Sequence, residues 1–157
     1  MPTPATPAVS PTGTERLAAL IAAKRQVLEL LTRLSRRQLE LIAGGDTPAL
    51  LKLLTAKDKV LAQLQLLERQ LDPFRSENPD ERVWSSPAAR TACQQEADRA
   101  SALLAEAMQL ERQAEAAMIG RRDAAAAAVA SAQVASDAAA AYAAGAISSP
   151  ASLHVEG

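Results

Sequence analysis

The residue types that most often carry out chemistry are scarce in this chain. Its one histidine, His154, lies in a Ser- and Pro-containing stretch that offers a general base no fixed geometry. Its one cysteine, Cys93, falls on the apolar face of a predicted helix, where a thiol behaves as a small buried hydrophobe. The Asp and Glu residues are scattered among Arg and Lys at spacings typical of a solvated helix surface. We therefore predict no catalytic site and no enzymatic activity.

Motifs that hold cofactors, metals or phosphates do not occur either. The sequence contains no phosphate-binding loop, dinucleotide fingerprint or zinc-ligand spacing, so we expect no cofactor and no metal. Its 17 basic and 18 acidic residues leave a net charge of -1, without the basic excess that binds nucleic acid or anionic lipid. Binding to other polypeptides is the function class that remains.

Features that decide the compartment point to a soluble, cytoplasmic protein. A single cysteine allows no intrachain disulfide, which fits a reducing compartment. The opening residues MPTPATPAVSPTGT lack the basic start and apolar core of a secretory signal. No apolar run reaches the roughly 18–20 residues of a membrane span, so we expect no stable membrane insertion.

The composition and periodicity predict an all-α fold. Aromatic residues make up only 2% of the chain, and the apolar content is mainly Leu and Ala, which are strong helix formers. The first helix is predicted over residues 14–43, capped by Thr14 and ended at Gly44-Gly45, where glycine takes a left-handed conformation. Apolar residues recur along it at threes and fours, which is coiled-coil spacing: Leu17, Leu20, Ile21, Val27, Leu28, Leu31, Leu34, Leu41 and Ile42.

A second helix with the same rhythm is predicted over residues 47–71. Thr47 suits its N-cap and Pro48 its first turn, and the helix is expected to end at Asp72-Pro73. A loop this short makes the first two helices antiparallel neighbours. Three polar side chains fall on the two apolar seams, where they can set the register of the helices: Lys24, Gln38 and Lys57.

Residues 72–86 break the helical rhythm with two prolines and a cluster of charges. Phe74, Val83 and Trp84 are the large apolar residues of this loop. One interpretation is that they cap the end of the helical hairpin, and the other is that they form a docking patch for a partner. The sequence leaves both open.

The third helix is predicted over residues 87–143 and has two unlike halves. Its first half carries an apolar seam that can pack on the hairpin, whereas the second half is Ala-rich after Gly120. An alanine face buries little area, so this half is either a marginal helix or a segment that orders on a partner. Whether the helix continues through Gly120 is open. The larger side chains of the Ala-rich half are Val129, Val134 and Tyr142.

Together these elements predict an antiparallel three-helix coiled-coil bundle with an overlong third helix. The helical domain is expected to cover residues 14–145. Residues 1–13, with four prolines, are expected to be a disordered arm, and residues 146–157 a disordered tail.

The chain resembles the FlgN-type family of flagellar export chaperones over roughly residues 15–145. Three features carry the resemblance. They are the Leu-rich hairpin LELIAGGDTPALLKLLTAKDKVLAQLQLLE, the single long third helix, and its close at Ala-Tyr142-Ala-Ala-Gly145.

The resemblance implies a cytoplasmic chaperone for bacterial flagellum biogenesis, serving type III protein export. Its clients would be hook–filament junction proteins, kept from premature assembly by the C-terminal part of the third helix. Tyr142 would help to dock the loaded chaperone on the export gate. Val129, Val134 and Tyr142 are assigned to client binding, the two valines because they are the other large side chains of that segment.

Two alternative functions fit the same helices. A structural coiled-coil scaffold would self-associate through the Leu seams as a homo-oligomer. A granule-coat protein that resembles phasins, which are also Ala-rich and helical, would bind hydrophobic droplets.

Overall fold

The computed structural model describes residues 12–147, which form three α-helices and one short 3-10 turn. Helix α1 spans Thr12–Gly44, α2 spans Thr47–Arg75, and α3 spans Pro87–Ile147, with the 3-10 turn at Pro79–Glu81. The described residues contain no strand, and the all-α prediction is confirmed. Most of the predicted arm and tail lies outside the described residues, while residues 12–13 and 146–147 are helical.

The turn between α1 and α2 uses a glycine and an aspartate. Gly45 has a φ of 70°, the left-handed conformation that ends a helix, as predicted for this dipeptide. The prediction that Thr47 caps α2 was wrong, because the Asp46 carboxylate accepts the Ala49 N–H at 3.1 Å. A carboxylate is the better acceptor there, since the helix N-terminus carries partial positive charge.

Two other helix ends differ from the predictions. Thr14 does not cap α1; it lies inside the helix, and its hydroxyl donates to the Val83 carbonyl at 2.8 Å. Helix α2 continues through Pro73 to Arg75 instead of ending at residue 71. Proline removes one N–H donor from the ladder, and the ion pairs of Arg75 with Glu68 and Asp72 support the last turn. The Ser86 hydroxyl caps α3, accepting from the Ala89 N–H.

Contacts between side chains define the order of the helices in the bundle. Lys24 of α1 pairs with Glu68 of α2, and Gln38 of α1 pairs with Lys57 of α2. Residue numbers therefore rise along α1 in the direction in which they fall along α2. Helices α1 and α2 are therefore antiparallel. Between α1 and α3 the numbers rise together, which makes those two helices parallel; the pairs are Arg25–Glu96 and Arg36–Glu106.

The apolar core lies where the three helices meet, in two clusters. Helices α1 and α2 contribute leucine, isoleucine and valine, whereas α3 contributes mostly alanine. The first cluster is Leu28, Leu31, Val60, Ala100, Leu103 and Ala107, and the second is Leu41, Ile42, Leu50, Leu53 and Ala114.

The chain divides into two compact units, Met1–Ala117 and Met118–Gly157. The first contains the bundle. The described part of the second unit is a stretch of α3 that is helical at Gly120 and beyond. Every residue from 118 to 146 is exposed. The Ala-rich half of α3 thus contributes no residue to the core clusters.

Candidate binding surfaces

The three residues predicted to bind a client are among the most exposed of the described apolar side chains. Val129 is 69% exposed, Val134 68% and Tyr142 82%. An α-helix turns about 100° per residue, so Val134 and Tyr142 lie about 80° apart around the axis. Val129 lies about 140° from each of them. They do not form one apolar stripe; Val134 and Tyr142 share a side, and Val129 faces away from it.

From Gly120 onward, the rest of the exposed segment 118–146 is small or polar. Met118 and Ile119, at its start, are also partly exposed. Farther along, Gln133 donates to Asp137 across one turn at 2.9 Å, an arrangement that supports an isolated helix. The segment therefore offers a partner small side chains and a few large ones.

Cys93 and His154 are the two residues of this chain whose types most often carry out chemistry. Cys93 is buried, and burial raises the pKa of its thiol, so the sulfur is protonated near neutral pH and is a poor nucleophile. His154 lies outside the described residues. Within residues 12–147 no group of His, Cys, Asp and Glu could hold a metal ion. In the same range no helix is long and apolar enough to span a bilayer.

Segment 72–86, which includes Phe74 in the last turn of α2, packs against the end of the bundle. Phe74 is half-buried and lines a cleft of about 240 Å³ together with Leu17 and Leu71. The Arg82 guanidinium donates to the Phe74 carbonyl at 2.7 Å. Trp84 is half-buried, and of the three large apolar residues of this segment only Val83 stays exposed, at 47%. This favours the capping interpretation of the loop over a docking patch.

A groove between α2 and α3 was missed by the sequence analysis. We call it the α2–α3 groove; its volume is about 430 Å³. Three of the apolar side chains in its walls remain exposed in the described structure: Leu61 at 36%, Leu104 at 37% and Met108 at 54%. A sequence signal existed, since Leu51, Leu54 and Leu61 form a second stripe beside the α2 core seam.

Polar groups lie at the floor and the rim of this groove. Lys57, only 5% exposed, donates to the Gln38 side-chain oxygen at 2.9 Å and forms an ion pair with Glu111. Asp58 also lines the groove and has no ion pair within residues 12–147. The Ser35 hydroxyl is buried at the floor, and its oxygen has no hydrogen-bond partner in the part of the chain that the structure describes.

Comparison of the chain with protein-family models, with curated proteins and with solved structures gave no match.

Proposed function

We propose that the protein is an export chaperone that binds a late flagellar export substrate, a hook–filament junction protein, and prevents its premature assembly in the cytoplasm. The observation that carries the proposal is the helical segment 118–146, all of whose residues are exposed, in addition to a three-helix bundle with its own core. A scaffold would be expected to bury large side chains along its whole length.

The mechanism is stoichiometric binding. An amphipathic helix of the client packs on the side of the segment that carries Val134 and Tyr142, which shields the client's apolar face from other copies of the client. The exposed alanines allow a close approach of the two backbones. At the export gate, the exposed Tyr142 ring is available for docking of the loaded chaperone.

Calorimetric titration with purified hook–filament junction proteins tests the proposal. We expect the full chain to bind such a client and a chain truncated after Ile119 to lose that binding. The variant Tyr142→Ala should lower affinity for the isolated gate domain. A matched control is Leu66→Ala, which removes an exposed leucine from the bundle and should change neither affinity.

The opposite results discriminate the alternatives. Equal client binding by the truncated chain would contradict the assignment of segment 118–146, and no client binding by the full chain would overturn the chaperone proposal. A concentration-dependent oligomer measured by sedimentation, without client binding, would indicate the scaffold. Binding to hydrophobic droplets alone would indicate the granule-coat protein.

A further inference from the structure

The α2–α3 groove is an apolar surface on the bundle that no described residue covers. Leu61 on one wall faces Leu104 and Met108 on the other, and all three are partly exposed. The α2 wall runs from Leu54 to Leu64, which is about 15 Å at 1.5 Å per residue. This length matches about three turns of a helix laid between α2 and α3.

One polar side chain beneath the groove is unusual. Ser35 lines the same groove, is only 1% exposed, and its hydroxyl has no hydrogen-bond partner within residues 12–147. Buried hydroxyls are almost always hydrogen-bonded in folded proteins.

The charge of the groove indicates the chemistry of that occupant. Lys57 and Glu111 form an ion pair with each other, which leaves the Asp58 carboxylate as the charge in the lining without an opposite partner in the described structure. A basic side chain beside the apolar contacts would therefore be attracted to Asp58.

A second copy of the chain fits the groove less well than a short helix. Stable protein–protein interfaces bury about 800 Å² on each partner, more than a groove of three helical turns supplies. A two-fold contact across the groove would also bring the Asp58 carboxylates of two copies toward each other.

We propose that the α2–α3 groove is a docking site for a short amphipathic helix of a partner protein. This helix carries large apolar side chains one turn apart and a Lys or Arg beside them, which meets Asp58. The site consists of bundle residues and does not depend on segment 118–146 or on a flagellar client. Failure of the groove to bind a helix would therefore leave the proposed function unaffected, and failure of the proposed function would leave the groove site unaffected.

Peptide binding to the full-length protein tests this site. The probes are two fluorescent helical peptides of about twelve residues, with leucines on one face and either lysines or glutamates flanking them. Fluorescence anisotropy should show binding of the lysine peptide. Met108→Gln should weaken it by about tenfold, a factor that corresponds to the loss of one large apolar contact. Leu66→Gln, outside the groove, is the matched control and should leave the affinity unchanged.

The variant Asp58→Lys tests which charge the groove prefers, and a loss of stability alone would not reverse that preference. The variant should reverse the preference, so that the glutamate peptide binds better than the lysine peptide. No binding of the lysine peptide to the wild-type protein would overturn the proposal, as would equal binding by the Met108→Gln variant. Light scattering on the free protein tests whether a second copy of the chain occupies the groove. A dimer that Met108→Gln abolishes would assign the groove to self-association and would also overturn the proposal.

Discussion

Lys57 shows how one buried charge joins all three helices. From the sequence it is only a polar interruption in a leucine seam, but the structure places its ammonium between Gln38 of α1 and Glu111 of α3. A buried ammonium is tolerated when it is hydrogen-bonded and paired. These partners are available in one register of the helices only, so Lys57 contributes to the choice of that register.

Replacing Lys57 by methionine should destabilise the bundle by leaving Gln38 unsatisfied. Gln38 is only 6% exposed, and a buried amide without a partner costs about 1–3 kcal/mol. Adding Gln38→Leu should recover most of the loss, because both polar partners are then replaced by apolar groups. Urea denaturation measures the free energy of unfolding, and the exposed Lys52→Met is the control. If Lys57→Met leaves the free energy of unfolding unchanged, the Gln38 amide must find another partner.

Glu68 makes the stability of the bundle dependent on pH. Burial favours its neutral form, but hydrogen bonds from Lys24 and Arg75 outweigh this and lower the pKa of the carboxyl. Since the pKa is lower in the folded than in the unfolded protein, ionised Glu68 stabilises the fold above the ordinary carboxyl pKa. That contribution disappears as the pH falls through the folded-state value.

We expect Glu68→Gln to be less stable than the wild type near neutral pH and equally stable at low pH. The difference in the free energy of unfolding should decline from about pH 5 downward, when urea curves are compared at several pH values. The control Glu15→Gln removes an exposed carboxylate from the first turn of α1. A constant difference between wild type and Glu68→Gln at all pH values would contradict the assignment.

At the scale of elements, the turn between α1 and α2 offers a matched pair of glycines. Gly44 is the last residue of α1, and a Cβ there would meet nothing within 4 Å. Gly45 has a φ of 70°, a conformation that strains any residue with a side chain.

Alanine at these two neighbouring positions should have opposite effects. Gly44→Ala should stabilise the protein by about 0.5–1 kcal/mol, because alanine favours the helix and restricts the unfolded chain. Gly45→Ala should destabilise it by about 1–2 kcal/mol, because alanine resists the left-handed conformation. Thermal unfolding followed by circular dichroism compares the two variants. The same sign for both would indicate that α1 ends at a different residue.

At the scale of the whole molecule, the bundle should be stable without the Ala-rich half of α3. Every residue from 118 to 146 is exposed, so this half removes little apolar surface from water. A chain truncated after Ile119 should unfold in urea within about 0.5 kcal/mol of the full chain, as expected for changes away from a core. Its helical circular dichroism signal should fall in proportion to the helical residues that are deleted. A loss of several kcal/mol would show that the second unit stabilises the first.

Much of the fold follows from local sequence. Helical periodicity, the Gly44-Gly45 stop and the Ser86 cap depend on residues a few positions apart, so they can be recognised in the chain itself. One error occurred where a distant group competed for a side chain. Thr14 looks like a cap in isolation, but its hydroxyl is used by the Val83 carbonyl, which lies far away in the sequence.

The sequence by itself determined the fold class, the leucine seams and the unequal halves of α3, because propensity and spacing act within one helix. Only the tertiary structure decided which leucines stay exposed, which partners Lys57 takes, and that Phe74 packs against the bundle. The α2–α3 groove depends on three chain segments held side by side. Its shape therefore follows from the angles and distances between helices, which no single segment encodes.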